Sequence, residues 1–149
     1  MSIPTSRTLN STATITGNLT INGAGTFENA GNVRADTVNG TLTIAVTGTV
    51  DDVAPVATRW SVANTSGAKL HFSSSIGTLN TLIGNFSVVN GVLEIDKALE
   101  TTGALTQSGG TVQIDENTTM GTDSVSTPAH LNFTGGVIQV AAGKTFLHK

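Results

Sequence analysis

The sequence predicts an all-β protein, a short parallel β-helix (β-solenoid) of about six irregular coils, and three observations carry that prediction. Thr, Gly, Asn and Ser make up nearly half of the 149 residues, while charged residues are only 11%. Hydrophobic residues still stand at 38%, mostly Val, Leu, Ile and Ala, spread evenly along the chain. A turn followed by an apolar-polar-apolar step recurs in "GNLTING", "NGTLTIA", "NGVLEID", "GGTVQID" and "GGVIQVA". Thr and Val suit pleated, half-buried surfaces, and Gly and Asn accept the positive φ of tight turns.

In chain order, residues 1–11 read as an extended polar arm, with Ile3 and Pro4 as apolar anchors and Arg7 as its charge. Residues 12–149 read as a single solenoid domain. Its anchors are Gly17 (with Leu19, Ile21), Gly40 (Leu42, Ile44), Gly67 (Leu70, Phe72), Gly91 (Leu93, Ile95), Gly110 (Val112, Ile114) and Gly136 (Ile138, Val140). A second apolar column follows each anchor: Phe27, Val50, Ile76, Leu99, Met120 and Phe146. Ahead of most anchors lies a third short stretch, "TATIT", "ADTV", "FSVV", "ALTQ" or "LNF".

A strand of four or five residues buries only every second side chain, and one coil cannot cover them. Stacking coils about 4.8 Å apart makes internal columns of the anchored residues. A one-residue slip would flip a strand's faces, so the uneven anchor spacing must be absorbed outside the strands. Loop excursions are expected near 47–66, around Arg59 and Trp60, and near 121–130. The alternative is a β-sandwich or jelly roll, because Asn-Gly at 22–23, 39–40 and 90–91 is also a strong hairpin signal.

Composition excludes several function classes. The net charge is −3 and the seven Lys and Arg are scattered, so no basic stripe exists for nucleic acid. There is no cysteine, hence no disulfide or thiolate metal site. No apolar run approaches membrane-spanning length, and "MSIPTSRTLNST" lacks the basic and apolar regions of a signal peptide. Neither a nucleic-acid nor a membrane partner is expected.

Catalytic candidates are few. Asp96 and Asp115 follow equivalent strand positions on successive coils, beside Glu94, Gln113 and Glu116. They fit an acid/base pair or a weak Ca²⁺ site, or else exposed acids at strand ends. Asp51 and Asp52 fit a cation at a loop base or a solvated acidic turn. His71, His130 and His148 lack ligand-like spacing to one another, there is no GxSxG elbow, and no phosphate loop follows the Gly-rich segments. Outward positions on the first strand read Thr20, Thr43, His71, Glu94, Gln113 and Gln139, so a Thr array for ice ends after two coils. No enzyme activity, cofactor or metal is expected.

The Gly-x-Leu-x-Ile cadence, from Ser11 onward, resembles the right-handed parallel β-helices of bacterial adhesin and autotransporter passengers. It is similar also to the β-helical modules of phage tail and capsid-decoration proteins. The resemblance implies a structural role. With no signal peptide at its start, a virion protein made in the host cytoplasm is expected, either a capsid decoration (cement) protein or a short fibre element. Its partners would be major capsid or other virion proteins. Two alternatives stay open: a segment of a cell-surface adhesin passenger binding glycans or host proteins, and a carbohydrate-active β-helix enzyme. A short solenoid exposes edges and apolar side chains at its ends. Ile3, Pro4, Arg7, Arg59, Trp60, Phe146 and Leu147 are therefore the expected interface residues, in a homotrimer whose subunits cover the ends.

Overall fold

The computed structural model describes residues 1–5, 8–11, 14–16, 18–53, 59–63, 67–121 and 131–149; among them are twenty β-strands and no helix. The first coil holds β1 (Ser2–Ile3), β2 (Thr8–Ser11) and β3 (Thr14–Thr16). The second holds β4 (Leu19–Gly23), β5 (Thr26–Asn29) and β6 (Asn32–Ala35). Then come β7 (Thr41–Val46), β8 (Thr49–Asp52) and β9 (Arg59–Val62), followed by β10 (Lys69–Phe72), β11 (Thr78–Leu79) and β12 (Asn85–Val88). The next coils hold β13 (Val92–Ile95), β14 (Leu99–Thr101) and β15 (Leu105–Gln107), then β16 (Thr111–Ile114), β17 (Thr118–Met120) and β18 (Leu131–Phe133). The chain finishes with β19 (Val137–Val140) and β20 (Phe146–His148).

Every strand pair among the described residues is parallel, and each strand pairs with its equivalent one coil away. The protein is a three-faced β-solenoid. Face one is one sheet in the order β1-β4-β7-β10-β13-β16-β19, and face three is β3-β6-β9-β12-β15-β18. Face two is split into β2-β5-β8-β11 and β14-β17-β20. Hairpins would give antiparallel pairs, so the sandwich alternative is excluded. The Asn-Gly steps at 39–40 and 90–91 lie between successive solenoid strands and Asn22-Gly23 ends β4, so none is a hairpin turn.

The predicted internal ladders of face one are both present. Leu19, Leu42, Leu70, Leu93, Val112 and Ile138 stack in register, as do Ile21, Ile44, Phe72, Ile95, Ile114 and Val140. Strands β7, β10, β13 and β16 alternate half-buried and buried positions, as a strand with one face on a core must. Burying each such Leu or Ile stabilises the fold by about 1.5–3 kcal/mol.

Faces two and three depart from expectation. On face two, Ile76 is buried but precedes β11, whose Leu79 is the partner of Val50. Leu99 pairs with Thr118 and then Phe146, while Met120 stands over Thr101. On face three, β6 spans "NVRA" and not "ADTV". The stretch expected as an excursion at 47–66 supplies β8 and β9; its residues 54–58 and 64–66 lie outside the described residues, as do 122–130 of the second expected excursion. The segment expected as an N-terminal arm is extended but is not separate from the solenoid. Its β1 and β2 pair with β4 and β5, because the edge of the second coil offers unpaired N–H and C=O groups to any strand that follows it in register.

Corner glycines set how closely coils can stack. Gly110 has φ +63°, and a Cβ there would lie 2.5 Å from the carbonyl oxygen of Gly91 directly below. Gly136 repeats this one coil on, with φ +96° and the carbonyl of Gly110 at 2.6 Å from the same hypothetical atom. Both the left-handed conformation and the close backbone approach exclude a side chain. Gly110→Ala is expected to destabilise the fold by about 2 kcal/mol or more. Urea unfolding measures this; an unchanged midpoint would show that the corner can relax outward.

Candidate functional site

Two polar clusters and one apolar end stand out from the repeat. The first cluster is on the outer surface of face one. Register places His71 beside Glu94, and Glu94 beside Gln113, on three adjacent strands. Asp96 follows β13 and is held by its N–H donating to the Phe72 carbonyl at 2.9 Å; Asp115 is held likewise on Ile95 at 3.0 Å. His71 Nε2 lies 2.9 Å from Asp96 Oδ2 and 3.7 Å from Glu94 Oε2. Lys69 Nζ lies 3.0 Å from the same Glu94 oxygen.

Asp96 and Asp115 thus sit on neighbouring rungs as the sequence spacing requires, but each has its own partner. Asp115 Oδ2 accepts from Gln113 Nε2 at 2.6 Å, and Asp96 is engaged by His71. Glu116, grouped with these acids by sequence, pairs instead with Lys144 Nζ at 2.8 Å. The Lys144 hydrogen bond, with the ammonium charge, holds the Glu116 carboxyl below its ordinary value.

The second cluster is internal, and it corrects two expectations. Asp52 is not a solvated turn residue and Trp60 is not a surface residue: Asp52 is buried, and Trp60 is buried completely. In β9 the alternation places Trp60 and Val62 inward, and Arg59 and Ser61 toward the surface. Trp60 packs on Phe72 at 5.0 Å, on Phe27 edge-on at 6.2 Å and on Phe86 in a stack at 6.3 Å. Its indole N–H donates to both oxygens of Asp52 at 3.2 Å. Asp52 Oδ2 also accepts the backbone N–H groups of Ile83 (3.0 Å) and Gly84 (2.8 Å).

These contacts lie at the break in face two. After β11 the chain leaves the lower sheet, and Leu82 bridges to Thr101 of the coil above. The residues that make the step would bury unpaired N–H groups, and Asp52 satisfies them. Beside the break is a surface recess of about 300 Å³, lined by Leu79, Thr81, Ala98, Leu99, Glu100 and Asn117 among others.

The apolar end is the last coil. Phe133 stands over Gln107 and Val140 over Ile114, both of which are fully buried. Yet Phe133 is 47% exposed and Val140 41% exposed, because no strand lies beyond β18 and β19 among the described residues. Leu147 is exposed, and Phe146 and Ile138 are only partly covered.

The expected interface residues are therefore scattered. Ile3 is buried within the first coil, Pro4 is exposed, and Arg7 lies outside the described residues. Arg59 is exposed at the start of β9, while Trp60 is core and presents nothing to a partner. Phe146 and Leu147 belong to the open end, together with Phe133, Val137 and Val140. Phe133 and Val140 continue the buried columns above Gln107 and Ile114, whereas Val137 and Leu147 stand over the outward positions Thr111 and Thr119. Comparison with protein-family models, with curated proteins and with solved structures found no match to this chain.

Asp52→Ala is expected to cost about 3 kcal/mol or more, since it strands three buried donors, with unfolding by urea as the measurement. Burial pushes the Asp52 carboxyl up from its ordinary value near 3.8, against the Gly84 N–H, the Trp60 indole, the Ile83 N–H and the Asn29 side chain, which pull it down. The folded state then holds this proton more tightly than the unfolded chain. Stability from Asp52 is greatest below the ordinary value and declines as pH rises through the raised one. Relative to Asp52→Asn, the native protein should lose part of its advantage as pH rises above the ordinary carboxylate range. An advantage that grows with pH would reverse the sign assigned to burial.

Proposed function

We propose that this chain is a non-enzymatic structural protein that works by association, of the capsid-decoration or short-fibre kind, assembling as a homotrimer on other virion proteins. The observation that carries the reading is the open last coil. Phe133, Val137, Val140 and Leu147 cluster there beside the unpaired edges of β18, β19 and β20. Among the described residues, this end joins strand edges without a partner to the inner side chains of Phe133 and Val140 and the outer ones of Val137 and Leu147, an apolar surface that favours association. The opposing consideration is equally physical: the outer surface elsewhere is a ladder of Thr, Gln and paired charges, which resists indiscriminate pairing.

The body of the solenoid fits this role. Its interior is filled by aliphatic ladders and the Trp60 aromatic cluster, so it serves as a rigid spacer between attachment points. A second reading rests on the flank recess at the break in face two. A concavity lined by Asn117, Thr119, Glu100 and Leu99 suits a glycan or peptide segment, as an adhesin passenger would use. A glycan array addresses it: binding that is lost in Glu100→Ala while association persists would favour the adhesin reading.

The association reading makes a direct prediction. The protein should sediment and scatter light as an oligomer at micromolar concentration, and Val140→Lys should shift it to monomer without altering its far-ultraviolet circular dichroism. A soluble wild-type monomer would overturn it. If the partner is a viral shell, the purified protein should rebind stripped capsids and raise their resistance to heat. Failure to rebind, with oligomerisation intact, would leave a fibre element and exclude a cement.

A further inference from the structure

We propose that His71, Glu94 and Asp96 form a binding site for one divalent transition-metal ion on the outer surface of face one. The three side chains bring one nitrogen and two carboxylate oxygens within 4.8 Å of one another, the only such group of three among the described residues. Two ligands about 2.0–2.1 Å from a tetrahedral zinc ion stand about 3.3 Å apart. The His71 Nε2 separations of 2.9 Å to Asp96 and 3.7 Å to Glu94 bracket that value.

The backbone is already committed. His71 and Glu94 are register partners in the middle of the longest sheet, and Asp96 is pinned by its hydrogen bond to Phe72. The ligands therefore lose little conformational freedom on binding, which is what separates a built site from a chance grouping of acids. A further oxygen points the same way. Asp96 Oδ1 is shielded from solvent and has no hydrogen-bond partner within the protein, which leaves the carboxylate acceptor capacity that a cation could take up. Imidazole nitrogen with carboxylate oxygen suits zinc, nickel, cobalt or copper and disfavours calcium, which takes oxygen ligands alone.

One group opposes the ion. Lys69 Nζ, 3.0 Å from Glu94 Oε2, must move aside, and its charge repels any cation beside it. This gives the proposal a signature that a purely structural ion-pair network lacks: removing Lys69 should strengthen metal binding while removing an ion pair.

The test is titration of the tag-free protein with Zn²⁺ by calorimetry and with Co²⁺ by visible absorption. The wild type is expected to bind one ion per chain. His71→Ala should weaken binding about tenfold or more, and Lys69→Met should tighten it about fivefold. Glu100→Gln, on another face, should leave it unchanged. His71 is outward and half-buried, so the fold should persist in its variant, and the gain in Lys69→Met cannot come from misfolding. No saturable binding at millimolar Zn²⁺, equal affinity in His71→Ala, or weaker binding in Lys69→Met would each overturn the proposal.

Discussion

Each strand of this protein must lie on its own equivalent one coil below, in parallel and in register, and every other feature of the structure answers to that constraint. A parallel stack repeats its inner side chains along the axis, so an inward position holds the same kind of residue coil after coil. Leucine stands over leucine and isoleucine over isoleucine along face one until Phe72 interrupts the second ladder. The aromatic ring is accommodated because Trp60 and Phe86 meet it from face three. The same constraint makes corners tight. Coils of different length must return to one register, and glycines let a carbonyl of one corner sit where a Cβ of the next would be.

Face two shows what happens when the constraint cannot be met continuously. The fourth coil serves two sheets, pairing downward through β11 and upward only through the Leu82 bridge. Such a step leaves backbone donors without ladder partners in a dry interior. A buried carboxylate is an expensive solution on its own, yet here it accepts three N–H groups at once and orients the largest side chain of the core. Asp52 and Trp60 therefore form one unit. The polar member closes the gap in the sheets, and the aromatic member fills the space that the step opens.

The distribution of what was legible in the sequence follows from the same physics. From β4 onward face one is legible in the sequence, including the outward series Thr20, Thr43, His71, Glu94, Gln113 and Gln139, because its strands follow a glycine corner at a constant offset, with one extra residue after Gly67. Faces two and three come after corners of variable length, so offsets counted from the same glycines drift. Met120 was aligned with Leu99 but stands over Thr101. "RWSV" was read as part of a loop, though its alternation supplies the third strand missing from that coil. Treating Trp60 as a surface anchor followed from that one error of register. The His71 cluster is not legible as ligand spacing among the histidines, because a solenoid brings side chains together at the coil interval.

Repetition also divides the surface into parts with different uses. Where coils succeed one another, outward side chains become ladders, in which Lys69 pairs with Glu94 and His71 hydrogen-bonds Asp96. Such a flank keeps neighbouring molecules from pairing edge to edge while leaving side chains fixed well enough to coordinate. At the last coil the ladders stop, and residues that would be core one rung earlier face outward. The contrast between Ile114, fully buried, and Val140, two-fifths exposed, is a difference of position and not of chemistry. The exposure of this end therefore follows from the stacking itself and needs no special sequence.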